Sequence, residues 1–287
     1  MQNLDYSKSM CKNLPILMTA SVSTRGMKGA RYSDLEREQM YVGALSYYLH
    51  SLMGSNPQQK IVFVENSGWD LNRLKTNLSE YDLDRVEFIA LPKEAFDISR
   101  GKGYNELLLI NMAIEKSAVI QECGAFFKVT GRYPIYNLTH FIRKASNALG
   151  KGTEFYCDVK DHRIFDLLHL GWCGHAADAR IFAVKVHYYQ QYIGCRYREL
   201  NDYSGHLLEG LLFQVVKQAY GEGRNRFTGV VADGKIIARF SREPVFGGVE
   251  GSMIDAVSFS ADQNSLKNKI KRLVGNGFRC FFPWIWM

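Results

Sequence analysis

Gly124-Ala125-Phe126-Phe127-Lys128-Val129-Thr130-Gly131-Arg132-Tyr133 is the stretch whose reading decides the fold. Its apolar residues around a single lysine read as a buried strand, and Thr130-Gly131-Arg132 reads as the turn that ends it. Open α/β sheets place their ligands just beyond the carboxyl ends of such strands. Lys128 and Arg132 at that end suit a diphosphate, because a guanidinium forks onto phosphate oxygens and an ammonium adds a point charge. A surface turn with solvated charges fits the same ten residues, so the flanking segments must decide.

Those segments repeat the pattern. Residues 15–22, 60–64 and 86–91 are short apolar runs with the length of buried strands. Between the first two, Ser33 or Asp34 can cap a helix through Leu35, Met40, Tyr41, Ala44, Leu45, Tyr48 and Leu52. A second helix is predicted over 105–120. Further on, helices are expected at 137–148, 188–192 and 204–219, with strands at 153–159 and 180–184. Strands alternating with helices of this length predict an α/β fold with a mainly parallel, Rossmann-like central sheet flanked by helices. We expect one domain over residues 1–262, with a donor-binding front half at about 14–135 and an acceptor-side back half at about 136–262. A basic, aromatic tail occupies 263–287.

The chain has 287 residues, 46% hydrophobic and 23% charged, enough to bury a sizeable core. Its net charge of +7 favours an anionic partner. The basic residues are dispersed and no nucleic-acid-binding pattern occurs, so nucleic acid is not the expected partner. The six cysteines show no paired spacing and read as buried apolar residues of a reducing compartment. No apolar leader and no run of membrane-spanning length is present, so a cytoplasmic protein is expected. The seven histidines show no zinc spacing. Asp158 and Asp161 could hold a divalent ion, but Lys160 between them argues against a dedicated pair. No metal and no other cofactor is expected.

Five strand-end segments carry the polar groups of interest. The first, 19–24, contains Thr19 and Ser21. In the second, Glu65-Asn66-Ser67, a carboxylate at a strand end can accept from a ribose hydroxyl or a base N–H. The third is Gly101-Lys102-Gly103-Tyr104-Asn105-Glu106, where a glycine loop opens a helix whose N-terminus favours an anion. The fourth contains Lys128, Thr130, Gly131 and Arg132, and the fifth is Asp178-Ala179-Arg180. Helix caps, surface charges and structural ion pairs remain open as the plainer readings. Glu209, set among leucines seven residues after Asp202, is either on a wet helix face or half-buried with a pKa raised toward that of a general base.

Three of these segments, with one from the first helix, occur in an order that resembles a known family. Arg37-Glu38-Gln39-Met40-Tyr41, Val64-Glu65-Asn66-Ser67-Gly68, Gly101 to Glu106 and Lys128 to Tyr133 together are similar to bacterial glycosyltransferases that build capsular or lipopolysaccharide glycans. The resemblance spans roughly residues 14–215. It implies a GT-A-like fold that binds a nucleotide sugar, with Arg37 among the donor contacts. It also implies functional places for Asp178, Arg180 and Glu209, because similar proteins carry an Asp-x-Arg strand and a Glu-bearing helix there. Most of the wider GT-A group has an Asp-x-Asp metal motif where this chain has Lys128-Val129-Thr130-Gly131-Arg132.

The expected activity is therefore transfer of a sugar from a nucleotide-sugar donor to a hydroxyl of a glycan or lipid-linked glycan, without a metal. Lys128 and Arg132 would stabilise the leaving phosphate, and Glu209, or else Asp202 or Asp178, would act as base. A sugar nucleotidyltransferase is the alternative. In the tail, five cations beside aromatics and no acid after Asp262 suit an anionic membrane. The expectation is peripheral attachment to the inner face of the cytoplasmic membrane.

Overall fold

The computed structural model describes residues 13–26, 30–53, 56, 58–81, 83–161, 175–223, 236–247 and 266–281. In chain order its strands are β1 (Ile16–Ala20), β2 (Ile61–Glu65), β3 (Val86–Ala90), β4 (Ala125–Thr130), β5 (Thr153–Asp161), β6 (His175–Lys185) and β7 (Ile236–Arg239). Its helices are α1 (Asp34–Met53), α2 (Leu71–Thr76), α3 (Lys102–Lys116), α4 (Ala118–Cys123), α5 (Leu138–Gly150), α6 (Val186–Tyr192), α7 (Leu208–Gly223) and α8 (Leu266–Phe281). The predicted single helix over 105–120 begins earlier and is broken in two. Ser117 ends α3 in an extended conformation and caps α4 by accepting from the Ile120 amide.

All seven strands form one sheet in the order β3-β2-β1-β4-β6-β5-β7. The expected parallel arrangement holds from β3 through β4. Strand β6 departs from it, running antiparallel to both β4 and β5, while β7 is again parallel to β5. An antiparallel neighbour in sequence needs no crossover helix, which is why the back half lacked the regular strand–helix alternation of the front.

Side chains of a strand alternate between the two faces of a sheet, and here each face is covered. Leu17, Val62, Val64 and Phe126 meet the apolar stripes of α3, α6 and α7 on one side. Ile16, Met18, Phe63 and Phe127 meet those of α1, α2 and α5 on the other. Helix α1 starts in a capping box: Ser33 Oγ accepts from the Glu36 amide, and Glu36 accepts in return from Ser33 N–H at 2.8 Å. The chain runs outward from β1 through β2 to β3, then crosses back to place β4 on the other flank of β1. That reversal opens a crevice over the carboxyl ends of β1 and β4.

The structure also bears on Asp158 and Asp161, on the cysteines and on the tail. Asp158 and Asp161 are each engaged, Asp158 by Arg279 and Asp161 by His175 at 2.8 Å. Cys195 and Cys280 are exposed, whereas Cys123 and Cys157 are buried as expected. Residues 266–281 of the tail form a helix whose Arg279 is buried: Nη1 reaches Asp158 Oδ1 at 2.6 Å, and Nη2 lies 3.6 Å from Glu243 Oε1. The aromatic residues 282–287 lie outside the described residues. Removing one member of a buried pair leaves an uncompensated charge, so Arg279→Gln is expected to lower stability by about 3–5 kcal/mol in urea unfolding.

Candidate functional site

The crevice over β1 and β4 is a cleft lined by residues from every strand end that faces it. Thr19, Ala20 and Ser21 come from β1 and its exit, Asn66 and Ser67 from the exit of β2, and Thr130 and Arg132 from that of β4. Helix α1 adds Arg37 and Tyr41, and α3 adds Lys102, Asn105 and Glu106. Arg25 closes one side, held there by donating from Nη1 to the Lys93 carbonyl at 2.6 Å. Nine residues singled out in the sequence thus share one cleft: Thr19, Ser21, Arg37, Asn66, Ser67, Lys102, Glu106, Thr130 and Arg132.

Other predicted site residues stand behind that lining, for reasons the geometry makes plain. Glu65 is fully buried. Its carboxylate accepts from the backbone amides of Val22, Ser67, Gly68 and Trp69 at 2.8–3.1 Å, and from the Ser67 hydroxyl. It clamps the exits of β1 and β2 together and has no capacity left for a ribose. Lys128 is also buried, on the face of β4 that α3 covers. Its Nζ lies 2.7 Å from Glu106 Oε1 and donates to the Ala179 carbonyl at 2.6 Å. An ammonium so committed does not reach a phosphate in the cleft. Instead it fixes Glu106, which also accepts from Thr19 Oγ1 at 2.8 Å.

The glycines of the third motif have a different use from the one expected. Asp202 accepts from Lys102 N–H at 2.6 Å and from Gly103 N–H at 3.3 Å, so a protein carboxylate already fills the anion position at the N-terminus of α3. Gly101 has φ of 84°, and a Cβ there would lie 2.6 Å from Cβ of Asp202. Gly131 is likewise a close-approach residue. Its amide donates to the Thr19 carbonyl, and an added Cβ would lie 2.7 Å from that oxygen and 2.9 Å from the Tyr41 ring.

Of the three candidate bases, Asp202 is thus a cap. Asp178 is gripped by its neighbour Arg180, whose Nη2 donates to Oδ2 at 2.6 Å and whose Nε donates to Oδ1 at 2.9 Å. Burial pushes the Asp178 carboxyl upward, but the Arg180 charge and hydrogen bonds outweigh it and hold the group below the usual range. The Arg180 guanidinium stacks 4.0 Å from the centre of the Phe246 ring. Glu209 in the first turn of α7 is different. Solvent reaches its side chain, yet the surrounding protein desolvates it and the charges of Asp178 and Asp202 repel it. Both effects raise its pKa, against a hydrogen bond from its own backbone amide and the weaker pull of Lys128.

The cleft is electropositive. Arg25, Arg37, Lys102 and Arg132 line it, and Glu106, the carboxylate among its described lining residues, is offset by Lys128. Arg37 turns its guanidinium to the carbonyls of Ser21 and Val22, and among the described residues it pairs with no carboxylate. Desolvation, then the charges of Arg132 and Arg37, pulls the Lys102 ammonium down to about 8. Two buried polar atoms of the lining lack a partner, the donor Arg132 Nη1 and the acceptor Asn105 Oδ1. Such atoms cost free energy unless a ligand or water meets them. Asn105 was not singled out in the sequence. The available signal was a poor helix former in the first turn of α3, next to Glu106.

Among the described residues, no three His, Cys, Asp or Glu side chains gather as a metal-binding group. No family model matches the sequence, and no curated protein matches it. Solved structures with a distant likeness of arrangement do exist. Core-mannan synthase A of Aspergillus fumigatus, in its manganese- and GDP-bound form, is 7% identical over 80% of this chain and 73% of its own, with a TM-score of 0.43. The galactosyltransferase LgtC is 12% identical over 69% of each chain, with a TM-score of 0.42. Mouse xyloside xylosyltransferase 1 is 13% identical over 73% of this chain and 75% of its own, with a TM-score of 0.37.

The cap assignment gives a direct test. Asp202→Ala exposes the first amides of α3 and is expected to cost about 1 kcal/mol, read from chemical unfolding curves. Unchanged stability would remove Asp202 from that role.

Proposed function

We propose that the protein is a glycosyltransferase that moves a sugar from a nucleotide-sugar donor to a hydroxyl of a glycan acceptor. The observation that carries this reading is the cleft itself: four cations converge at the reversal point of the sheet, and one of them, Arg132, has a buried guanidinium nitrogen without a partner. Cations gathered in one cleft, with a lysine pKa depressed by desolvation and then by its cationic neighbours, are arranged for an anion of more than one charge, and a diphosphate has that charge and span. The motif resemblance supplies the sugar and the wider setting, the building of surface polysaccharide.

In the proposed step, an acceptor hydroxyl oxygen attacks the anomeric carbon, forming the new glycosidic bond. The bond from that carbon to the phosphate oxygen breaks, and the nucleoside diphosphate leaves with the electron pair. Glu209 takes the hydroxyl proton; a raised carboxyl pKa makes it a better acceptor at neutral pH than an ordinary surface glutamate. Arg132 and Lys102 face the negative charge that grows on the leaving group, the point at which fixed donors lower a barrier most. In this step the two cations supply the neutralisation of the diphosphate that a metal would otherwise give, so we propose transfer without one.

Arg132→Ala is expected to cut turnover by roughly 10²- to 10³-fold, the scale of losing one preorganised donor. Glu209→Gln should abolish transfer while leaving nucleotide affinity nearly intact, and near-normal turnover would remove Glu209 from the mechanism. Activity should persist in EDTA; full loss restored by Mn²⁺ would defeat the metal-free step. Products resolved by chromatography from a panel of nucleotide sugars would separate glycosyl transfer from nucleotidyl transfer.

Lys102 gives the reading a pH signature. Its ammonium is charged below its pKa of about 8, so nucleoside diphosphate affinity is expected to be full below that value. Affinity should fall as pH rises through 8, and Lys102→Gln should flatten the profile in calorimetric titrations. A wild-type profile that stays level between pH 7 and 9 would take Lys102 away from the diphosphate.

A further inference from the structure

Helix α8 is mounted on the domain in an inverted sense. Its polar side faces inward: Arg279 enters the buried pair with Asp158, and Asn276 accepts through Oδ1 from the Glu243 amide at 2.9 Å. Gly275 permits the approach, since a Cβ there would lie 3.2 Å from Glu243 Oε1. Its apolar side faces outward. Leu266 is 74% exposed, Leu273 73% and Phe281 74%, with Ile270 and Val274 also exposed. At 100° per residue these five side chains fall within one stripe about 100° wide, the pattern a helix ordinarily turns to a core. Large apolar groups in such a row on a surface mark a contact with something apolar.

Charge identifies the kind of partner. Lys269 and Lys271 are exposed on either side of the stripe, and no acidic residue occurs anywhere in 263–287. The helix joins the domain beside further exposed cations. Glu243 is held by Asn137, which donates from Nδ2 to its carbonyl at 3.0 Å. Arg143 and Lys144 on α5, with Arg242, are near enough that, after burial, their charges help depress the His140 pKa. All three are exposed. A second protein surface would need acidic groups around an apolar groove to meet this pattern, whereas an anionic bilayer offers both on one plane.

We propose that the outward face of α8 docks on an anionic lipid bilayer. The apolar row enters the boundary between headgroups and acyl chains, as in helices that lie in the membrane plane. Lys269 and Lys271 keep their stems on the apolar surface and their ammonium groups among the phosphates. No described helix is long and apolar enough to cross a membrane, so the contact is peripheral through this helix. The inference stands on α8 alone and is independent of the donor cleft, so vesicle binding and nucleotide binding report on the two separately.

The test is co-sedimentation of the full chain with vesicles of phosphatidylglycerol mixed with phosphatidylcholine, beside vesicles of phosphatidylcholine alone. Binding is expected to the mixed vesicles, weakly or not at all to the neutral ones, and to decline with added salt. Leu273→Glu with Val274→Glu changes two exposed positions and should weaken binding at least about tenfold, the scale of losing two inserted aliphatic groups. Lys269→Gln with Lys271→Gln should weaken it roughly tenfold or more while leaving nucleotide affinity unchanged. Failure of the wild-type chain to bind mixed vesicles at low salt overturns the proposal, as does full binding by the Leu273/Val274 variant. A wild-type dimer in light scattering that this variant converts to monomer would assign the face to a second copy instead. If the double variant does not fold, the lysine variant and the salt series on the wild type still decide.

Discussion

The ion pair between Lys128 and Glu106 is the constraint around which the front half is arranged. A lysine buried on a central strand must find an opposite charge or lose its own, because desolvating an unpaired ammonium is expensive. Glu106 meets that demand from the second turn of α3, which fixes the rotation of α3 over the sheet. The same carboxylate oxygen accepts from Thr19 on β1, and Lys128 reaches on to the Ala179 carbonyl on β6. One pair therefore ties three strands to one helix at the place where the sheet reverses direction. The cleft is what remains open above it.

This arrangement also sets the electrostatics of the cleft. With Glu106 neutralised from behind, no other carboxylate among the described lining residues is left to offset the four cations of the cleft. Glu65 works in the same spirit on the neighbouring strand ends, collecting four backbone amides so that the loops bearing Ser21, Asn66 and Ser67 stand at fixed positions. Buried Glu65 and half-buried Glu106 thus have their charge consumed by fixed donors, while Glu209, where desolvation outweighs a backbone hydrogen bond and the pull of Lys128, keeps a raised pKa. The difference in pKa between these acids lies in how many donors surround each and how far each is desolvated.

The back half follows another logic. Strand β6 runs against its neighbours, and its Asp178 and Arg180 satisfy each other within two residues. Helix α8 then closes onto β5 through a charged contact in place of an apolar one. Burying Arg279 is tolerable because Asp158 and Glu243 meet it, and the consequence is that the apolar stripe of the helix is left outside. A purely hydrophobic attachment would have turned the helix the other way and hidden that stripe.

The sequence by itself determined the four strands of the front half and the existence of its long helices, though not α2 or the break at Ser117, because a short apolar run or a 3.6-residue apolar period is a local property that burial enforces. It also determined which strand ends carry polar groups, since Asn66 and Arg132 each sit just past an apolar run and Thr19 lies at the end of one. It could not assign their parts. Glu65 and Lys128 have the residue types of ligand contacts, and only the fold shows that backbone amides and Glu106 consume them. Asp202 lies about a hundred residues from the helix it caps, a pairing no local pattern reports. The antiparallel course of β6 and the inverted seat of α8 were equally hidden. Both are decided by long-range pairings, β4 with β6 and Arg279 with Asp158, and a linear pattern of residues carries no record of which distant group will satisfy a buried one.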